Sequence, residues 1–221
     1  MLPRHRRVLA LSSVLVLLAA AAWAGDAVIG NLNDPTHVLP DYVTGQESFA
    51  YLVYPPEQAS CPEGGFTMET IRMWLGFTLD DVPVTFQARG RLLEATLDPF
   101  TGQWVPGPVI CETAVFEVTV TDDGLFELVL PFLPGDCGPL LLDAHYFLAV
   151  DLLTPLVADL PLDSQPEAGV AYQNTGQGWV DMDGLKRADS GKIIIWGDIV
   201  CSAPPVGNAR DTWGAVKGLY R

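Results

Sequence analysis

The chain has 221 residues, and 27 acidic against 12 basic side chains leave a formal charge of −15. That balance excludes nucleic acid as a partner, because a phosphate backbone needs a basic stripe, and it disfavours an anionic membrane surface on the same ground. The length fits one domain with a core of native size.

Residues 1–24 read as a secretory signal peptide. Arg4, His5, Arg6 and Arg7 precede an apolar run over 8–22, and Ala22-Trp-Ala24 supplies a small-x-small pattern, which puts cleavage after Ala24. The run is too short for a spanning helix, so an N-terminal anchor is the weaker alternative, and the mature chain carries no membrane span. The leader holds three arginines and no acid, so cleavage takes the formal charge from −15 to −18. Such acidity serves solubility outside the cell or, where carboxylates cluster, attraction for divalent cations. The expected location is extracellular, periplasmic or cell-surface.

Four cysteines remain, Cys61, Cys111, Cys137 and Cys201. An even number in an exported chain points to disulfides, and the dispersed spacing argues against zinc.

Along the mature chain the periodicity is that of strands. Residues 47–54 form a first aromatic strand, closed by Pro55 and Pro56, which cannot donate to a ladder. Ile71, Met73, Leu75 and Phe77 alternate with Arg72, Trp74 and Gly76. Val82, Val84, Phe86 and Ala88 alternate again, and residues 92–97 return after Arg89-Gly-Arg91, which reads as a tight turn between two strands.

A hairpin is expected next, with Ala114, Phe116, Val118 and Val120 facing Phe126, Leu128 and Leu130 across the turn at 121–124. Folding the chain there brings Cys111 towards Cys137, which favours Cys111–Cys137 and leaves Cys61–Cys201. Two other connectivities satisfy the same count, and spacing alone does not separate them. Residues 146–152 and 192–200 complete the strands, with a turn-rich stretch between them. No segment carries a sustained helical period. The fold class is all-β, a two-sheet β-sandwich of jelly-roll type over residues 25–201.

Catalytic inventory is thin. Only His37 and His145 survive cleavage, and the metalloprotease, G-x-S-x-G, Walker and dinucleotide motifs are absent. Asp143 and His145 would share one face of a strand and could form a base and its orienter. Glu94, Glu112, Glu117 and Glu127 supply carboxylates for a glycosidase, although nothing singles out two of them.

Asp181, Asp183 and Asp189 around Gly184 have the oxygen-rich character of a calcium loop. The pattern lacks a third alternate acid and a closing glutamate, so calcium is a weak expectation and no other cofactor is implied. Trp104 and Trp179 stand in turn-rich segments, Trp104 in one set outside the sheets and Trp179 close to Tyr172. Flat aromatic faces beside amides and carboxylates are what sugar rings stack on, and Trp104, Tyr172 and Trp179 are the expected ligand contacts.

Residues 202–210 read as a linker, and 211–221 as a tail in which Trp213, Val216 and Tyr220 would share one side of a short helix. That tail would suit docking to export or assembly machinery. Its ending, Thr212-Trp-Gly-Ala-Val-Lys-Gly-Leu-Tyr-Arg221, resembles the T-W-G-x-x-K-x-L-Y-R tails of exported proteins from poorly characterised bacterial lineages. The body is similar to their uncharacterised secreted β-sandwich proteins. The shared elements are residues 49–56 with Cys61, then Gly178-Trp-Val-Asp181 and Gly191-Lys-Ile-Ile-Ile195. The resemblance implies an envelope or extracellular location and supplies no activity.

The function expected from sequence is therefore a secreted, non-catalytic binding module for carbohydrate or another surface polymer. A structural or assembly component of the bacterial cell surface is the alternative, and a secreted hydrolase comes third.

Overall fold

The computed structural model describes residues 26–59, 61, 65–163, 165, 167–182 and 191–202. The signal peptide, Asp183, Asp189, residues 203–210 of the linker and the tail with Trp213, Val216 and Tyr220 lie outside the described residues.

In chain order the elements are β1 (Asp26–Gly30), β2 (His37–Val43), β3 (Glu47–Val53), α1 (Pro55–Gln58), β4 (Gly65–Phe77), β5 (Val84–Leu97) and β6 (Trp104–Glu112). They continue with β7 (Phe116–Val120), β8 (Gly124–Pro131), β9 (Leu140–Leu141), β10 (Tyr146–Leu152), β11 (Ala158–Leu162), β12 (Ala171–Asn174), β13 (Trp179–Asp181) and β14 (Ile195–Cys201). The fold is an all-β sandwich. Its first sheet runs β1-β14-β4-β11-β2 with β8 and β9 also on β4, and its second runs β13-β12-β3-β10-β5-β6 with β7 also on β5. From β3 to β5, and again from β10 to β14, the chain repeatedly changes sheet, as in a jelly roll.

The two longest strands organise the sheets. Both β14 and β8 bond to residues 70–73 of β4, so they occupy opposite edges of it. By the same reasoning β10 and β6, which both engage residues 91–93 of β5, flank that strand. Alternate residues of the facing strands, among them Phe49, Phe66, Ile71, Leu75, Phe86, Leu92, Leu128, Leu148 and Ile195, fill the space between the sheets with no exposure above 1%. Each such side chain contributes about 1.5–3 kcal/mol of burial.

Two sequence expectations are corrected here. Arg89-Gly90-Arg91 is no turn: β5 passes straight through it. Gly90 faces inward, where an added Cβ would stand 3.3 Å from Leu130 and from Thr113, while the two arginines face out. Residues 114–130 form no hairpin either. Strand β7 pairs with β5 and β8 with β4, so the turn at 121–124 carries the chain from one sheet to the other. The alternation is the same in both arrangements, because either way one face of each strand is buried.

The disulfides are Cys111–Cys137 and Cys61–Cys201, with Cα separations of 5.4 and 5.3 Å. The pairing first drawn from a hairpin arises instead from a bridge between sheets. Cys111 lies on β6, and Cys137 follows β8, its carbonyl accepting the Met68 N–H of β4 at 3.0 Å. Cys61 follows α1, and Cys201 ends β14. Two such bridges belong to a protein of an oxidising, extracellular or cell-surface environment.

Candidate functional site

The outer face of the second sheet carries an apolar cluster of its own. In β10 all seven residues are buried. Tyr146, Leu148, Val150 and Leu152 point into the sandwich, and Phe147 and Ala149 join a separate apolar cluster with Ala50, Leu93, Ala95 and Tyr172. That cluster lies on the far side of the sheet, where a two-layer sandwich would ordinarily meet water.

The β5–β6 hairpin covers it. Tyr172 Oη donates to the Trp104 carbonyl at 2.8 Å, although in sheet order β12 and β6 are separated by β3, β10 and β5. In a flat sheet that separation would be about 19 Å, four strand spacings of about 4.8 Å. The hairpin must therefore curl over the face. Register shifts between Leu92 and Ala95 of β5 supply the bend, as bulges do.

Its tip is a tight loop in which the Asp98 carboxylate accepts the Phe100 N–H at 2.8 Å and the Thr101 hydroxyl at 2.9 Å. These bonds hold the Asp98 carboxyl below its ordinary range. Gln103 reaches the β11–β12 connection, 3.3 Å from where a Cβ on Gly169 would stand.

Trp104 pins the hairpin. Its ring stacks on His145 at 4.5 Å, and His145 stacks on Tyr54 at 4.4 Å, a three-ring pile over the end of β3 and β10. Phe147 meets Tyr172 edge to face at 5.4 Å. Burial, reinforced by the nearby charges of Asp181 and Asp98, pushes the Tyr172 phenol up to about 12.

Three site expectations change accordingly. Trp104 opens β6 rather than standing outside the sheets, and it spends one ring face on His145. Asp143 and His145 lie ahead of β10, not on a strand, and no hydrogen bond or ion pair joins them among the described residues. Glu127 sits on the first sheet, 2.6 Å from Arg72, and so is remote from Glu94, Glu112 and Glu117 of the second.

Next to the covered cluster runs a polar row that is half-buried at Trp179, Asn174, Ser48 and Arg89 and closed over at Asp151. Asn174 lies opposite Trp179, Ser48 opposite Asn174, Asp151 opposite Ser48, and Arg89 opposite Asp151. Five adjacent strands thus line up an indole, an amide, a hydroxyl, a carboxylate and a guanidinium, over about 19 Å at ordinary strand spacing. Beside it runs a row with Tyr172, Ala50, Ala149 and Arg91 in register.

At the centre of the polar row is an open cleft of about 190 Å³, lined by Gln46, Glu47, Ser48, Asp151, Asn174 and Gly176 among others. Asp151, 3% exposed, is gripped by both arginines. Arg89 Nη2 donates to it at 3.0 Å, Arg91 Nη2 closes on its other oxygen, and Arg89 Nη1 also reaches Glu112 at 3.0 Å. Two positive and two negative groups balance there. The Asn174 amide oxygen accepts the N–H groups of Gly176 at 2.8 Å and Gly178 at 3.2 Å.

Of the expected ligand contacts, the structure brings Trp104 to Tyr172 and sets Trp179 on the polar row. Sequence reasoning missed Ser48, Arg89, Asp151, Asn174 and the stacking partners Tyr54 and His145. For the arginines a signal existed: two cations two residues apart on a strand share a face. The Asp181 carboxylate accepts the Gly169 N–H at 2.9 Å, while Asp183 and Asp189 lie outside the described residues. Among the described residues no group of three or more His, Cys, Asp or Glu is placed to hold a metal ion. No helix among them is long and apolar enough to cross a membrane.

No known family model matches the chain, and no curated protein matches it. Solved structures do. The cysteine protease and lectin-like domains of Cwp84, a surface layer associated protein of Clostridium difficile, are similar over 71% of this chain and 32% of that one, with 11% identity and a TM-score of 0.43. A structure of the clostridial cysteine protease Cwp84 after propeptide cleavage is similar over 80% of this chain and 40% of that one, with 10% identity and a TM-score of 0.49. The chain therefore spans well under half the length of these solved chains.

Proposed function

We propose that the protein is an exported, non-catalytic binding module whose ligand, a carbohydrate or another surface polymer, lies along the row from Trp179 to Arg89. The observation that carries this reading is the row itself. A half-buried indole continues in line into an amide, a hydroxyl and a charge-balanced carboxylate, and these last three border an open cleft. Sugar rings present one apolar face and a rim of hydroxyls, and this surface offers a partner for each.

Binding is favoured over catalysis by what the carboxylates do. Glu112 and Asp151 close on arginines, and Glu127 closes on Arg72 of the other sheet, so these acids are engaged structurally. Export rests on the leader pattern of residues 1–24 together with the two disulfides. Calcium is given no part in the site.

A glycan array followed by calorimetry tests the reading. The expected result is carbohydrate binding that persists in a chelator and falls at least about tenfold in Trp179→Ala, the size of one lost stacking contact. Equal affinity in a variant that melts like the parent would overturn it.

A further inference from the structure

Resting on that reading, we infer that the cleft at Ser48, Asp151 and Asn174 takes an uncharged, hydroxyl-rich unit of the glycan and rejects acidic sugars. The donor and acceptor pattern of the three residues specifies this. The Asn174 amide oxygen is occupied by the Gly176 and Gly178 N–H groups. Its NH2, which makes no hydrogen bond among the described residues, is left to donate outward. Ser48 stands beside it as both donor and acceptor, directly in register on β3.

Asp151 completes the set as a pure acceptor. Three guanidinium N–H groups reach its oxygens, two from Arg89 at 3.0 and 3.3 Å and one from Arg91. A carboxylate offers roughly four acceptor positions, so about one remains. Although Asp151 is buried, the 5% of its side chain that stays exposed lines the cleft, where a ligand hydroxyl would meet it. Donor, hydroxyl and acceptor side by side match a pair of neighbouring sugar hydroxyls, each of which gives one hydrogen bond and takes another.

Charge narrows the class further. Arg89 and Arg91 are matched by Asp151 and Glu112, so the arginines do not offer a free cationic fork to a carboxylate or sulfate. Glu47 lines the same cleft, its oxygens taken by the Gln173 side chain at 2.6 Å and the Thr44 N–H at 3.2 Å. The chain as a whole carries a formal charge of −15. An anionic sugar would meet repulsion with no free cation to offset it.

The test compares neutral oligosaccharides with uronic-acid and sulfated counterparts of the same length, on the full exported chain. Two variants accompany the parent. Asn174→Asp keeps the acceptor used by the glycine N–H groups while removing the donors and adding a charge, and Ser48→Phe fills the cleft. The expected result is preference for the neutral series by at least about tenfold and at least about a tenfold loss in both variants, with unchanged melting temperature.

Preference for acidic glycans overturns the inference. So does neutral binding that Trp179→Ala abolishes and Ser48→Phe leaves intact, an outcome that preserves the binding role and removes only this cleft. Should Ser48→Phe fail to fold, Asn174→Asp decides alone. Absence of binding to any glycan overturns both readings together.

Discussion

Asp163 shows how a single carboxylate can hold three segments of chain. It is 2% exposed, and it accepts Nδ2 of Asn31 at 3.0 Å and of Asn33 at 2.9 Å, together with the N–H groups of Gln165 and Lys192, each at 3.1 Å. The β1–β2 connection, the end of β11 and the approach to β14 therefore meet on one side chain. Burial alone would raise its pKa, but the four donors outweigh burial and hold the carboxyl below its ordinary range. A depressed value in the folded state means that the unfolded chain binds the proton more readily. The stabilisation is thus complete above the unfolded value of about 3.9 and is lost as pH falls through the lower, folded one. Denaturant midpoints followed from about pH 6 to pH 2 should show that acid limb in the parent, and Asp163→Ala should lose about 3 kcal/mol at neutral pH and show a shallower limb. A variant with an undiminished acid limb would assign the acid sensitivity elsewhere.

The β5–β6 hairpin is the element that separates this molecule from a plain sandwich, and it also marks where the sequence stopped being readable. Alternation in β4, β7 and β8 identified their buried faces, because each has one face in the core and one in water. The pattern vanishes in β10, whose residues are buried on both faces, so nothing in its composition announced a second apolar cluster. Arg89-Gly90-Arg91 looked like a turn because glycine between charges is what turns contain. Here the charges face Asp151, sixty residues on, and only the fold brings them together. Trp104 was legible as an important aromatic, but its partner His145 was not, since stacking leaves no spacing in the chain. The hairpin has its own spectroscopic reporter. Tyr172, buried beneath it, has a phenol pushed up to about 12. Because the folded value exceeds the unfolded value of about 10, the folded state keeps its proton longer, and stability declines as pH rises through that interval. In Trp104→Ala the hairpin loses its stack on His145 and lets water reach the phenol. Titration by phenolate absorbance should then show one tyrosine moving down from about 12 towards 10, absent in a Tyr172→Phe background. An unmoved titration would mean that the hairpin stays seated without its indole.

At the scale of the whole molecule, the disulfides join parts that the sheets alone leave separate. Cys111–Cys137 ties the second sheet to the first across 26 residues, and Cys61–Cys201 closes a loop of 140 residues that contains most of the sandwich. Cysteine count and compartment made two bridges legible from sequence. Their architectural meaning was not, because it depends on β7 and β8 belonging to different sheets. If the bridges act mainly by limiting the unfolded chain, the longer loop matters more: chain entropy alone gives about 3.5 kcal/mol for the shorter loop and about 5 kcal/mol for the longer. Paired Cys→Ser variants separate this from a local packing effect. Denaturant unfolding should place the Cys61/Cys201 pair below the Cys111/Cys137 pair, and both below the parent. The slope of the transition should also change, since removing a bridge lets the unfolded chain expand and expose more surface. The opposite order would locate the larger contribution in the bridge between sheets, and would make that contact, rather than closure of the long loop, the principal covalent support of the face that carries the polar row.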